Sequence, residues 1–256
     1  MEIGDINMNK NIGFNDKLKG IISRARSEMQ TMLRSVYAYN APFAKTPKEK
    51  ESLFRILEAM SAVDRRFFVL DRKYAYEDTA FSIGKGQTIS QPSTVARMLM
   101  LAELKEGDDV LEVGTGSGWN ASLIAFLVYH GSATSTERIH FLLKNANKNI
   151  VALKKNLKKH KERFSKMKLI VKDIFSDIKS WKEKYDKIIF TAGISDKGAE
   201  KDVLDISRKL LKKNGVLVCP YTAGPMLIVK KGKDDEINAE RTIEEYVFVP
   251  LIKEVE

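Results

Sequence analysis

The stretch VLEVGTGSGWN, Val110 to Asn120, decides the fold. A β-branched apolar run passes straight into Gly114-Thr115-Gly116-Ser117-Gly118, and a helix opens behind it at Trp119-Asn120-Ala121. Glycines at such a junction let the backbone turn sharply and let a ligand lie against the main chain. About twenty residues further on, the next strand, SATST, ends in Glu137, placed to accept hydrogen bonds from ribose hydroxyls. The pairing of loop and acid predicts a nucleoside ligand.

Outward from this point, short β-branched runs alternate with helical stretches. Strands are expected over 109–113, 132–136, 168–172, 186–192, 215–221, 226–231 and 246–252, and helices over 118–129, 138–160 and 198–213. That alternation predicts βαβ units in an α/β fold, doubly wound, with a mainly parallel seven-stranded sheet. Upstream, Leu18, Ile21, Ile22, Met29, Met32, Leu33 and Val36 recur at roughly helical period and predict one amphipathic helix over Asp16 to Tyr39. Its apolar stripe would fold back on the domain or pair two chains, so monomer and dimer both stay open. Asn40 to Glu51 holds two prolines and a charge run and reads as a linker. Within it, Thr46 before Pro47 suits the cap and first position of the next helix.

Composition limits the alternatives. The chain has 256 residues, 43% of them hydrophobic, enough for one full-sized core with an N-terminal extension. No apolar run reaches the roughly eighteen residues of a membrane helix, and MEIGDINMNKNIG lacks the charged-then-apolar order of a signal peptide. A soluble, cytoplasmic protein without a membrane partner is expected. The single cysteine, Cys219, excludes an internal disulfide framework and a cysteine-built zinc site; with only three histidines, no metal is expected. The net charge is +10, and between Lys144 and Lys168 ten basic residues face one acid, Glu162. A nucleic-acid patch is one reading of that run. A solvated helix face is preferred, because Ile150, Leu153 and Leu157 fall at helical spacing and no Phe, Tyr or Trp is interleaved from Lys144 to Lys161.

Glycine spacing narrows the ligand. A dinucleotide fingerprint has two residues between its second and third glycines, whereas here there is one. This GxGxG form, with Glu112 two residues before it, resembles motif I of class I S-adenosylmethionine-dependent methyltransferases. The resemblance turns the loop towards the amino-acid part of that cofactor and puts Asp173, in VKDIF, beside the adenine amino group. Three blocks go further: MSAVDRRFFV, YAYEDTAFSIGKGQTISQPSTVARML and VLEVGTGSG match, in order and spacing, the protein-L-isoaspartate O-methyltransferase family. The likeness covers about residues 50 to 252.

What the resemblance implies is specific. It implies a Rossmann-like class I methyltransferase domain over 51–256, with 51–100 as its substrate and cofactor cap and 1–50 as helical extension and linker. It implies that Gln87, Thr88, Glu112, Gly114, Thr115, Gly116, Ser117, Gly118, Glu137, Arg138, Asp173 and Ile174 bind S-adenosyl-L-methionine. Thr88, Ile89 and Ser90 would bind the substrate, Ser90 being the catalytic hydroxyl on its carboxylate. The implied reaction methylates the free carboxylate of L-isoaspartyl residues in damaged proteins. The ester then cyclises to a succinimide, which reopens partly to normal aspartate. Three departures stand out: Ile174 where the family usually has glycine, no proline in AGISDKGAEKD, and no threonine after FVPL. The family's tail helps to close the acceptor site, so acceptor selection is where this chain departs most.

Elementary chemistry accounts for the residue types without the family. A carboxylate of pKa about 4 is already ionised and nucleophilic at neutral pH, so no general base is required. Methyl transfer from a sulfonium is an in-line displacement helped by alignment and closeness. Neutral donors such as the Thr88 and Ser90 hydroxyls orient such an oxygen without quenching it, as a strong cation would. Ser90 or Ser93 also suits a plain cap for the helix PSTVARMLMLAEL. Asp64 and Arg65 read equally as an internal structural pair, and Asp78 as a side chain ordering its own loop.

Two rival classes share the cofactor domain. A methyltransferase acting on tRNA or other nucleic acid would explain the basic helix. Adenine amino methylation favours a [DN]PP[YW] segment, where this chain reads FTAGIS, and cytosine carbon methylation needs a cysteine, for which Cys219 in the apolar run GVLVCPY is the sole candidate. A non-catalytic cofactor-binding adaptor would use the Asp16 to Tyr39 helix to dock a partner. It would bind the cofactor without turnover.

Overall fold

A computed structural model describes residues 16–176, 178, 181, 182, 184–253, 255 and 256. Residues 1–15, the first part of the expected extension, lie outside the described residues. The expected first helix is two helices: α1 over residues 16–24 and α2 over Ser27–Asn40, parted at Ala25 and Arg26, where Arg26 has ψ 147. The break falls in the polar run SRARSE, which leaves the apolar stripe empty between Ile22 and Met29. Little of the expected linker is irregular. A 3-10 turn occupies Ala41–Phe43, and α3, Pro47–Ala62, starts on a capping box in which Thr46 and Glu49 bond each other's backbone, with Pro47 in the first turn.

The polar stretch beyond α3 folds into a β-hairpin, β1 (Phe81–Gly84) with β2 (Gln87–Ile89). Its turn residues Lys85 and Gly86 both have positive φ, 55° and 68°, as a tight two-residue turn requires. Helix α4, Pro92–Leu101, follows and leads to β3, Asp109–Val113. The remaining elements are α5 (Trp119–Leu127), β4 (Ser132–Glu137), α6 (His140–Asn156), β5 (Met167–Val171), β6 (Tyr185–Phe190), α7 (Lys197–Leu210), β7 (Leu211–Pro220), β8 (Ala223–Gly224), β9 (Met226–Lys231), β10 (Ile237–Arg241) and β11 (Tyr246–Val247).

The central sheet has seven strands in the order β10-β9-β7-β6-β3-β4-β5. β5, β4, β3, β6 and β7 run parallel, while β9 and β10 are antiparallel additions at one edge. The seven-stranded α/β expectation therefore holds, with one strand corrected. The run 246–252 contributes only β11, paired with β8 in a separate two-stranded ribbon. The seventh sheet strand is β10, INAER, whose exposed and polar residues hid it from a search for apolar alternation. Two helices also end earlier than expected: α6 stops at Asn156, and residues 211–213 extend into β7.

Successive strand residues point to opposite faces, and the core divides accordingly. Val110, Ile189, Val216 and Val218 face a large cluster built with α1 to α6; Leu111, Val113, Ile188, Phe190, Leu217 and Cys219 face a smaller one under α7. The stripe of α1 and α2 belongs to the large cluster: Met29, Met32, Leu33 and Val36 are buried against α3 and α4. The stripe folds back on the chain instead of waiting for a partner. Of the expected stripe on α6, Ile150 and Leu153 are buried with Leu142, Leu143 and Ala146, and Lys144 and Lys148 are exposed.

Candidate active site: a cleft and a groove that meet at one serine

After β3 and β4 the chain passes to one side of β3, and β6 then returns on the other, so a crevice opens beyond the carboxyl ends of these strands. The loop 114–118 fills it. Gly114, Gly116 and Gly118 all have positive φ, 104°, 53° and 87°. At Gly114 a side chain is excluded outright, since a Cβ would sit 2.3 Å from the Thr191 hydroxyl, which donates to the carbonyls of Val113 at 3.1 Å and Gly114 at 2.6 Å. At Gly118 a Cβ would meet Ala146 at 3.1 Å and Ile150 at 3.2 Å, so the glycine lets α6 pack on the loop.

Acids hold the loop from beneath and behind. The backbone N–H of Gly114 and of Thr115 donate to the Thr136 carbonyl. Glu137, at the end of β4, accepts from the N–H of Gly116 at 2.9 Å through one carboxylate oxygen and from Ile139 at 3.0 Å through the other. Glu112 is wholly buried under the loop, where Asn120 donates to it at 2.8 Å and the Ser135 hydroxyl donates to it, Ser135 in turn pairing with Thr115. Burial pushes the Glu112 carboxyl up to about 8; the Ser135 and Asn120 hydrogen bonds oppose the shift and the charge of Glu137 adds to it. Asp173 follows β5, 6% exposed, and accepts from the Phe175 N–H.

The resulting cleft is lined by Gln87, Thr88, Ile89, Ser90, Gly114, Thr115, Gly116, Ser117, Glu137, Arg138, Asp173 and Ile174 from the expected set. Glu112 and Gly118 are not in the lining: the first supports the loop and the second seats it on α6. Sequence reasoning passed over Thr191, Trp119, Asn120, Phe175 and the segment Val249 to Ile252, all of which line the cleft. Thr191 was within reach, since it directly ends the strand that neighbours β3. The roof has two parts. The β1–β2 hairpin covers Gly116 with Ile83, which would lie 3.4 Å from a Cβ there. The tail crosses from Gly193, bonded to Val249 and Leu251, to β4, where Glu256 exchanges backbone bonds with Arg138 and His140 and pairs with Lys85 at 3.1 Å.

Beside the cleft lies a second cavity of about 510 Å³. Thr88, Ser90, Thr191 and Val249 line both, so the two spaces meet at these residues. Among the described residues, no lysine, arginine or histidine lines the second cavity. Ser90 is not a helix cap. The N-cap of α4 is Gln91, and its start is held by Asp78, which accepts from the Ser93 N–H at 2.8 Å and hydroxyl at 2.5 Å. Asp78 thus reaches across to a helix instead of ordering its own loop.

Arg65 fixes Ser90 from behind. Its guanidinium is buried between the rings of Phe81 and Trp119 and donates to the carbonyls of Ala75, Glu77, Thr79 and, at 3.2 Å, Ser90. The expected pair with Asp64 does not form, because Asp64 accepts from Tyr76 and the backbone of Arg66 and pairs with the Arg66 side chain. Cys219 is wholly buried with its thiol pushed up by burial, which removes the one candidate nucleophile for carbon methylation.

The family model "Protein-L-isoaspartate(D-aspartate) O-methyltransferase" matches residues 46–256. A protein-L-isoaspartate O-methyltransferase of Ignicoccus hospitalis is 39% identical over 204 residues, 78% of this chain and 89% of its own length. One of Pyrococcus abyssi is 38% identical over 215 residues, 80% of this chain and 91% of its own. A Plasmodium falciparum structure solved in complex with S-adenosyl-L-homocysteine superposes with a TM-score of 0.69 over 89% of this chain and all of its own, at 23% identity, which speaks for the fold. With a glycine loop under a hairpin roof, a cation-free groove at Ser90 and a match that spans the whole sheet, the chain belongs to the protein-L-isoaspartate(D-aspartate) O-methyltransferase family.

Proposed function

We propose that this chain methylates the free carboxylate of L-isoaspartyl residues in damaged proteins, with the cleft holding S-adenosyl-L-methionine and the neighbouring groove holding the peptide. One observation carries the reading: cleft and groove meet at Thr88, Ser90, Thr191 and Val249, and the groove contributes no cation. The cleft suits a nucleoside with a charged tail. Two carboxylates, Glu137 and Asp173, lie at the ends of adjacent strands for hydroxyl and amino groups, and the glycine loop leaves its backbone open beside Ser117. When bound, the cofactor supplies an electrophilic methyl group.

The chain's own part is placement. Arg65 holds the Ser90 carbonyl and Asp78 holds the next turn at Ser93, so the Ser90 hydroxyl is presented from a fixed backbone. It donates to one carboxylate oxygen of the substrate and leaves the other free to attack in line. The methyl group that S-adenosyl-L-methionine would supply from the cleft would pass to that oxygen, its sulfur serving as the leaving group and keeping the bonding pair. No proton is transferred, which agrees with the absence of histidine from the described lining of the groove. The following backbone nitrogen then attacks the ester carbonyl and expels methoxide, which leaves as methanol with the amide proton, giving a succinimide that water opens partly to aspartate. No helix among the described residues is long and apolar enough to cross a membrane. We assign the reaction to the cytoplasm, where a chain with one buried cysteine needs no oxidising compartment.

Transfer of labelled methyl to a peptide with one isoaspartate, beside the same peptide with aspartate, tests the proposal. Base-labile label on the isoaspartyl peptide alone is expected, and Ser90→Ala should lower it on the order of ten-fold or more, the loss of a hydrogen bond to a charged group. Equal labelling of both peptides, or none, would overturn it.

A further inference from the structure

One wall of the acceptor groove comes from outside the family match. Tyr39, on α2 and upstream of residue 46, lines the groove together with Ser90 and Thr94 on one side and Tyr246 and Val247 on the other. Its position is fixed at both ends. Next to it, Asn40 is fully buried and donates its amide to the carbonyls of Val36 at 3.0 Å and Ser93 at 3.1 Å, which ties the end of α2 to the first turn of α4. The Tyr39 ring leans on Phe43, centroids 6.0 Å apart; the Arg97 guanidinium lies 4.1 Å over Phe43 and pairs with Glu244 at 3.3 Å, two residues before Tyr246. The extension and the β11 wall are thereby braced against each other.

Within this frame the Asn40 Oδ1, the Arg97 Nε and the Tyr246 hydroxyl are buried without a hydrogen bond. Tyr246 is 8% exposed and its hydroxyl, shielded from solvent, makes no hydrogen bond of acceptable geometry. The Tyr39 phenol is near enough to add to the upward pKa shift that burial gives Tyr246, yet stands outside hydrogen-bond geometry. Val247 is 87% exposed on the two-residue ribbon, and among the described residues the one acidic side chain in the lining is Glu245.

We propose that Tyr39 is a specificity-determining residue of the acceptor site: its ring and Val247 form a slot for a large apolar or aromatic side chain next to the isoaspartyl residue. The proposal rests on the methyl transfer proposed above. A ring fixed by Asn40 and Phe43 is organised before binding, so contact with it adds affinity without an ordering cost. A glycine flank leaves the slot empty, and an acidic flank meets Glu245 with no cation to answer it.

The test is a set of isoaspartyl peptides that differ in one flanking residue, Leu, Phe, Gly or Glu, placed on either side. Wild-type kcat/KM should favour Leu or Phe over Gly by about five-fold on one side, the effect of burying a few apolar carbons. Tyr39→Ala should erase that ranking through the peptide KM while the KM for S-adenosylmethionine stays as in wild type. Tyr39→Phe should keep it, since the ring and not the hydroxyl forms the slot. Val247→Ala, on an exposed lip where folding is not at stake, should weaken the ranking in the same direction. A ranking unchanged in both Tyr39→Ala and Val247→Ala, or a loss equal on every peptide, overturns the proposal. Failure of the repair reading looks different, because the wild-type protein itself would then label no isoaspartyl peptide.

Discussion

Two buried ionisable residues, Arg65 and Glu112, decide how the site is held, and each yields a prediction. Arg65 offers a planar fork to four carbonyls that no compact ammonium can reach together. Arg65→Lys should cost about 2–4 kcal/mol, as hydrogen bonds to a charged group are lost in a buried place. Because Ser90 loses its brace, kcat on an isoaspartyl peptide should fall while the midpoint of cofactor binding shifts little; unchanged kcat in a destabilised variant would refute the positioning role. Glu112 makes the second case. Its folded pKa is raised from an ordinary 4.5 to about 8 by burial, so between those values the native protein keeps a proton that the unfolded chain has released. Stability therefore falls as pH rises through that window, by about 1.4 kcal/mol per unit, and levels off above it. Glu112→Gln keeps the shape, offers its carbonyl to Asn120 and an N–H to Ser135, and has no proton to lose. Urea midpoints measured at pH 5 and pH 8.5 should diverge in favour of the variant at the higher pH, and a gap that does not change with pH would sink the assignment.

At the scale of elements, legibility followed side-chain pattern. The strands beside the glycine loop were readable to within a residue or two, because DVLEV and KIIF are β-branched and apolar, and SATST, though polar, carries two threonines and follows the turn at Gly131. β10 was not, since an edge strand on the solvent needs no apolar alternation, and the more hydrophobic YVFVPLI took its place in the expectation. That run is hydrophobic for another reason: Tyr246 and Phe248 pack into the large cluster, while Val249 to Ile252 face the cleft. The β1–β2 hairpin was hidden by its polarity, although Lys85-Gly86 between Ile83 and Ile89 is a turn between two buried residues. Of the candidate site, residues that belong to a motif or end a strand were found, Glu137 and Asp173 included, while Trp119, Asn120 and Phe175 were missed although they lie within two residues of ones that were found. The loop at 114–118 and the block at 87–90 were legible; Thr191, the tail at 249–252 and the Arg65 brace depend on neighbours that only the sheet order and the packing of the cap supply.

For the whole molecule, the family match and the core do not share a boundary. The match begins at residue 46, yet Ile21, Ile22, Met29, Met32, Leu33 and Val36 are built into the same cluster as Leu53, Phe54, Leu57, Val95 and Leu99. Each such side chain contributes about 1.5–3 kcal/mol on burial, so the set is comparable with the ~5–15 kcal/mol net stability of a domain. Removing the extension also removes the entropy spent on ordering it, which offsets part of the loss on that side. What is not offset is the newly bared surface of α3 and α4: Phe54, which stacks on Tyr37 with centroids 6.3 Å apart, and the first turn of α4, whose Ser93 carbonyl loses Asn40. A variant lacking residues 1–45 should therefore aggregate or melt well below the full chain, even though it retains every residue of the match. Circular dichroism melts and dye binding to exposed apolar surface would show this directly. A truncated protein that unfolds cooperatively at the full chain's temperature would mean that α1 and α2 are an appendage. In that case the Tyr39 wall could be detached from the groove without loss of fold, and the slot it forms would have to be assigned to binding alone.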